Sequence, residues 1–187
     1  MRVLPLATFV AGLILGAGSL WLGPSVLSHV SPYAGEEKRA VSSLSAADIA
    51  QLEGGEGWGL AKPAELNGYP GPAHVIELAD GLDLSQAQSD AVERSFETMR
   101  SRAKALGAEL IAAERELDRA FEAGSIDAEA LERLLRTAEA ARVALRSVHL
   151  GAHLEVTPLL SDEQRRRYAA LRGYGTANGE HAGHGGH

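Results

Sequence analysis

A long stretch without proline limits what this chain of 187 residues can fold into. No proline occurs at the 85 positions between Pro72 and Pro158. Long uninterrupted helices are possible there, because proline breaks a helix interior. Ala and Leu, which form helices readily, together supply 58 residues, whereas Val and Ile supply only 15. This composition favours an all-α fold over a β-sandwich or barrel.

Two heptad repeats of apolar residues occupy this stretch and alternate steps of four and three. The first contains Val92, Phe96, Met99, Ala103, Leu106, Leu110, Ala113, Leu117 and Ala120, and the second contains Leu131, Leu134, Ala138, Ala141, Leu145, Val148 and Ala152. Gly124 between them suits a helix end, and Asp127 can cap the next helix. The pattern predicts a long antiparallel helical hairpin with its first arm over residues 85–123.

An apolar run stands at the N-terminus. No side chain from Val3 to Leu27 is ionisable, and about 20 such residues suffice to span a membrane. The run predicts a transmembrane or signal helix over residues 1–30, with Arg2 on the cytoplasmic side and the rest of the chain in the periplasm. An uncleaved anchor in the inner membrane is favoured, since the best small-residue cleavage site lies inside the run. The alternative is secretion to the periplasm after cleavage.

The rest of the chain divides by composition into three parts. Residues 31–72 are rich in Gly and Pro and predict a linker draped over the domain, with one short helix at 45–53. Residues 73–173 predict a helical-hairpin domain with short flanking helices, and residues 174–187 predict a disordered tail. The net charge of -7 belongs mainly to the linker. No basic block indicates binding to nucleic acid.

One short motif occurs on both sides of the hairpin. Leu84-Ser85-Gln86-Ala87-Gln88 and Leu160-Ser161-Asp162-Glu163-Gln164 share the pattern Leu-Ser-x-x-Gln. In such a capping box the Ser hydroxyl accepts from the backbone amide three residues on. The Gln side chain in turn accepts from the backbone amide of the Ser. Each motif therefore predicts the start of a helix.

With these paired motifs the chain resembles the Spy/CpxP family of periplasmic stress proteins, which includes ZraP-like and CnrX-like heavy-metal sensors. The family motif is Leu-Thr-x-x-Gln, and both Thr positions are Ser here. The resemblance covers about residues 73–174. It implies an all-α hooked hairpin, often a homodimer, without catalytic activity. Family members act as ATP-independent chaperones, as partners of a sensor kinase, or as metal sensors that control a membrane-bound anti-sigma factor.

Two histidines on the second arm predict a metal site. His149 and His153 stand one helical turn apart, a spacing that can hold zinc, nickel, cobalt or copper. Something must cover this part of the arm, either the N-terminal segment or a dimer mate. The alternative is that both histidines hydrogen-bond to carboxylates or to the covering segment and bind no metal.

Two more candidate ligands, His74 and Glu77, precede the first arm. Antiparallel folding brings the start of the first arm and the end of the second together, so these residues could converge with the histidine pair. CnrX-like sensors draw His and Glu ligands from N-terminal helices and add a His-x-x-x-Met on the last arm. The resemblance implies that His153 replaces that Met, which changes the metal preference. The alternative is that His74 and Glu77 bind no metal.

The tail adds histidines at intervals of three, His181, His184 and His187. They could chelate a transition metal with low selectivity, or could simply form a solvated terminus. Cysteine is absent, which excludes thiol nucleophiles and zinc-thiolate sites. No Ser-His-Asp arrangement or zinc-protease motif occurs, so an enzyme is not expected. The sequence predicts a periplasmic metal-binding and metal-sensing envelope stress protein, with an ATP-independent chaperone for unfolded clients as the alternative.

Overall fold

A computed structural model describes residues 30–174. The chain divides into two units after Ala34. In the first unit the described residues, 30–34, are exposed and form a turn in which the Ala34 amide donates to the Ser31 carbonyl at 3.0 Å. The second unit starts at Gly35 and holds every helix of the described part.

The described residues form helices and no β-strand. The elements are α1 (Ala46–Gly54), α2 (Lys62–Glu65), α3 (Pro72–Glu77), α4 (Ala79–Leu82), α5 (Gln86–Glu122), α6 (Ala128–Val156), a 3-10 turn (Thr157–Leu159) and α7 (Asp162–Leu171). This order confirms the all-α prediction and the two long arms, α5 and α6. The short helix expected at 45–53 is α1, with Ser45 as its cap.

Two expectations fall outside the described residues. The predicted anchor occupies residues 1–30, of which only the last is described, and the tail lies almost wholly beyond residue 174. Among the residues that the structure describes, no helix combines the length and the apolar character needed to cross a membrane.

The arms begin and end where the local signals place them. Ser85 caps α5 and accepts from the Gln88 amide. Gly124 turns the chain in the left-handed region, with φ at 63°, where glycine has no steric penalty. Asp127 then caps α6 and accepts from the Ala130 amide at 2.8 Å. Local sequence alone therefore accounts for the length of both arms.

The segment predicted as a linker packs onto the arms. Val41, Leu44 and Leu52 join buried seam residues of both arms in one apolar cluster. Helix α1 comes so close to α5 that a Cβ atom on Gly107 would lie 2.5 Å from the Leu52 carbonyl oxygen. A second cluster fills the open end of the hairpin and contains Val75, Leu82, Val92, Val156, Leu160 and Tyr168. The hairpin thus buries its apolar seam partly against its own N-terminal segment.

The two Leu-Ser-x-x-Gln motifs form the predicted capping boxes and also bind each other. The Gln88 side-chain amide donates to Gln164 Oε1 at 2.9 Å, and the Gln164 amide donates to Gln88 Oε1 at 3.1 Å. The same two amides donate to the carbonyls of Leu159 and Leu82, at 2.7 and 3.3 Å. This pair of glutamines ties the start of α5 to the start of α7.

Candidate metal centre

The two histidines of the second arm are buried on one face of α6. His149 is 2% exposed and His153 is 7% exposed. The N-terminal segment covers His153, because its ring Nδ1 lies 2.7 Å from the Tyr69 carbonyl oxygen. The covering segment is therefore the one that the sequence predicts as a linker.

The hydrogen bond to Tyr69 defines the proton position on His153. A carbonyl oxygen only accepts, so Nδ1 must carry the proton, and in the neutral ring Nε2 keeps its lone pair. Metal-ligating histidines commonly show this arrangement, with the second nitrogen donating to a backbone carbonyl. Gly71 lies against the same ring: a Cβ atom there would come within 2.7 Å of Cε1 and 2.9 Å of Nε2. A side chain larger than hydrogen at position 71 would displace the imidazole.

His149 keeps an unpaired ring nitrogen. Among the described residues, its Nε2 is buried without a hydrogen-bond partner. Burial, together with the nearby His153, lowers the pKa of His149 below its ordinary value of 6.5, since a charged imidazole is poorly solvated there. The neutral ring can offer a lone pair to a metal ion.

Glu65 of α2 supports this pair from the side of His153 Nδ1. Its Oε2 atom lies 3.9 Å from that nitrogen and has no hydrogen-bond partner among the described residues. Its Oε1 atom accepts from Tyr168, Arg172 and Tyr174 at 2.6, 3.2 and 3.0 Å. Burial and the contact with Glu65 raise the pKa of Tyr168, which keeps the phenol protonated. The carboxylate is thus placed to orient the imidazole and to increase its basicity.

The histidine pair lines a cavity of about 700 Å³. His74, Glu77, His149 and His153, the four ligands predicted outside the tail, all lie in its wall. The wall also includes Glu65 and the apolar side chains of Trp58, Leu66, Pro72, Phe96 and Met99. Antiparallel folding therefore brings the four predicted residues to one end of the hairpin.

The four residues share the cavity but do not form a preassembled ligand set. His74 Nδ1 lies 3.0 Å from Glu77 Oε2, and both side chains are partly exposed. No group of three or more His, Asp or Glu residues within the described chain is close enough to hold a metal ion. The predicted tail ligands His181, His184 and His187 lie outside the described residues. Within the described residues the centre consists of His149, whose Nε2 is buried without a hydrogen-bond partner, and His153, whose Nδ1 is bonded to the Tyr69 carbonyl.

These two histidines fit a transition metal by donor chemistry. Both rings offer an imidazole nitrogen, the donor type that suits zinc, copper, nickel and iron. An unpaired polar atom in a buried site costs free energy, and a bound ion would remove that cost at His149.

Sequence reasoning missed three residues of this site, Glu65, Tyr69 and Gly71. All three lie in the segment predicted as a linker, 80 or more positions away from His153. One local signal was present. Gly71 stands between Pro70 and Pro72, and each proline restricts the backbone dihedral angles next to this glycine. Gly71 is buried and Glu65 is partly buried, whereas the Tyr69 side chain is exposed and its backbone carbonyl makes the contact with His153.

Comparison with known proteins gives one family match. Neither the curated proteins nor the solved structures gave a significant match to the chain. A family model described as heavy-metal resistance matches residues 64–167, more than half of the chain. The matched region runs from α2 to α7 and includes Glu65, His149 and His153. The chain belongs to the heavy-metal resistance family.

Proposed function

We propose that this protein is a non-enzymatic metal-binding and metal-sensing protein of the cell envelope. The observation that carries the proposal is the buried pair His149 and His153, one turn apart beside a cavity, with the Nε2 atom of His149 unpaired among the described residues. Its membership of the heavy-metal resistance family supports the same function. The candidate ions are zinc, nickel, cobalt and copper.

In this proposal His149 and His153 hold the ion through Nε2. The bound ion supplies positive charge and draws its ligands together. The Tyr69 carbonyl and the Glu65 carboxylate hold the His153 ring in the binding tautomer, as described above. Glu65 also accepts hydrogen bonds from Tyr168, Arg172 and Tyr174. A movement of His153 would therefore be transmitted through Glu65 to α7 and to the residues that follow it. This contact is the proposed route from binding to signalling.

The proposal places the protein at the periplasmic side of the inner membrane, anchored by residues 1–30. Its support is the run from Val3 to Leu27 without ionisable side chains. The proposed partners are a second copy of the chain and a membrane-bound regulator, either an anti-sigma factor or a sensor kinase. Exposed apolar side chains on the outer face of α6, Val143 at 63% and Leu154 at 61%, favour contact with a second copy.

Metal titration of the purified full-length protein tests the function. We expect micromolar or tighter binding of at least one of zinc, nickel, cobalt and copper by isothermal titration calorimetry. The double variant His149→Ala, His153→Ala should lose this binding. Binding that is unchanged in the double variant, or absent from the wild-type protein, would contradict the proposal.

Two control variants separate this site from the other candidate ligands. The double variant His74→Ala, Glu77→Ala removes the pair at the cavity wall, which is already mutually bonded, and should keep the high-affinity binding. A triple alanine variant at His181, His184 and His187 removes the tail ligands and should lose only weak binding. Circular dichroism at 222 nm checks that each variant keeps its helix content.

A chaperone function is the second candidate, and exposed apolar side chains favour it. Phe121, Leu135, Val143 and Leu154 are large, apolar and exposed on the arms, and burying such surface against the apolar segments of an unfolded client is favourable. The function predicts that the protein suppresses aggregation of a denatured test protein without ATP, measured by light scattering. The double variant Val143→Ser, Leu154→Ser should suppress it less. Failure of the wild-type protein at equimolar dose would contradict the chaperone function.

A further inference from the structure

Met99 contributes a sulfur-containing side chain to the cavity that the histidine pair lines. The chain has two methionines, Met1 and Met99, and no cysteine. Met99 therefore holds the one sulfur atom within residues 30–174. It lies on α5 and is 9% exposed. Its side chain forms part of the same cavity wall as His149 and His153. A thioether is a soft ligand that prefers soft metal ions.

The charges of the side chains around the cavity favour an ion with a single positive charge. Imidazole and thioether ligands are neutral, and the Glu65 carboxylate is paired with Arg172 at 3.2 Å. The other charged side chains of the wall are two acidic and two basic, so their charges cancel: Glu56, Glu77, Lys62 and Arg100. A divalent ion would keep most of its charge uncompensated in a wall rich in apolar side chains, including Trp58 and Phe96. The cost of moving an ion out of water into such surroundings rises steeply with its charge. A monovalent ion would pay a smaller desolvation cost.

We propose that the preferred metal of this centre is Cu(I), bound by Met99 Sδ together with the Nε2 atoms of His149 and His153. Cu(I) combines a single charge with a preference for thioether and imidazole ligands. This inference rests on the proposed metal-binding function and adds both the identity of the ion and a ligand from the first arm. It also gives the ion a structural role, since a Cu(I) ion held in this way joins α5 to α6.

Competition against a chromophoric Cu(I) chelator, under reducing and anaerobic conditions, measures the affinity of the full-length protein. The informative variant is Met99→Leu, which keeps an apolar side chain of similar volume in the seam and removes the sulfur. We expect its Cu(I) affinity to fall by at least about tenfold, the scale on which metal-site substitutions act. Its zinc affinity and its urea unfolding midpoint should stay close to those of the wild-type protein.

X-ray absorption spectroscopy provides a second readout that packing alone would not change. The Cu(I)-loaded wild-type protein should show a sulfur neighbour at copper, and the Met99→Leu variant should show only nitrogen or oxygen neighbours. A spectrum without sulfur, or equal Cu(I) affinity of both proteins, would overturn the inference. If His149 and His153 still bound zinc in that case, the proposed metal-binding function would stand. If the wild-type protein bound no metal, both would fail together.

Discussion

Replacing Gln88 by alanine should destabilise the fold far more than its position near the surface suggests. The side chain of Gln88 makes four hydrogen bonds. Its Oε1 accepts from the Ser85 amide at 3.0 Å and from Gln164 at 3.1 Å. Its Nε2 donates to the Leu159 carbonyl at 2.7 Å and to Gln164 at 2.9 Å. Each bond contributes about 0.5–1.5 kcal/mol net, so we expect the loss of four bonds in Gln88→Ala to cost about 2–6 kcal/mol.

A double-mutant cycle isolates the part of this energy that belongs to the pair. Two of the four bonds join Gln88 to Gln164, and the Gln164→Ala variant loses the same two. The double variant should therefore be more stable than the sum of the single losses predicts, by about 1–3 kcal/mol. Urea unfolding followed by circular dichroism at 222 nm measures all four proteins.

Gln86→Ala is the matched control, because Gln86 stands in the same helical turn. Its side chain makes a single exposed bond, to Asp90 at 2.7 Å, which is worth about 0.2–0.5 kcal/mol. An equal loss of stability in this variant and in Gln88→Ala would refute a special contribution of the Gln88 side chain. Additive losses at Gln88 and Gln164 would show that the two motifs act as independent caps.

Two further predictions concern packing and pH. Gly107→Ala should lose about 1–2 kcal/mol, because the clash with the Leu52 carbonyl outweighs the helix preference for alanine, whereas Gly151→Ala, with open space around it, should gain up to about 1 kcal/mol; equal urea midpoints for the two variants would contradict this. A hydrogen bond from Ser45 is the main cause that lowers the pKa of Asp48 below its ordinary value of 3.8. The ionised carboxylate therefore stabilises the fold above that pH, and this stability is lost as the pH falls through the folded-state pKa. Asp48→Asn should reduce the difference between urea midpoints at neutral pH and near pH 3, and an unchanged difference would show that Asp48 does not contribute.

The arms and caps could be predicted from the sequence because the forces that form them are local. The heptad repeats identify which face of each helix is apolar, and the capping boxes need only residues within three positions of one another. The confirmed starts of α5 and α7, at Ser85 and Ser161, depend on nothing farther away. The bond between Gln88 and Gln164 was not predicted, since it joins residues 76 positions apart.

The site could be predicted only in part for the same reason. His149 and His153 lie one turn apart on the same helix, so their spacing can be predicted from local sequence. The residues that contact His153 are distant from it along the chain. The hydrogen bond between Tyr69 and His153 joins residues 84 positions apart, and the one between Glu65 and Tyr168 joins residues 103 positions apart. The heptad pattern assigned Met99 to the seam between the arms, and a periodic pattern cannot show that a seam residue also borders a cavity.

The glycines and prolines of residues 31–72 have a different meaning once the site is known. Composition rich in these residues usually indicates a flexible connection, because glycine adds backbone freedom. Here Pro70 and Pro72 are buried and restrict the backbone on both sides of Gly71, which lies against His153 because it has no side chain. Proline also lowers the conformational entropy of the unfolded chain. Ordering this segment over His153 therefore loses less conformational entropy than ordering a segment without proline. The segment that sequence composition separates from the domain is therefore the part that covers His153 and sets its tautomer.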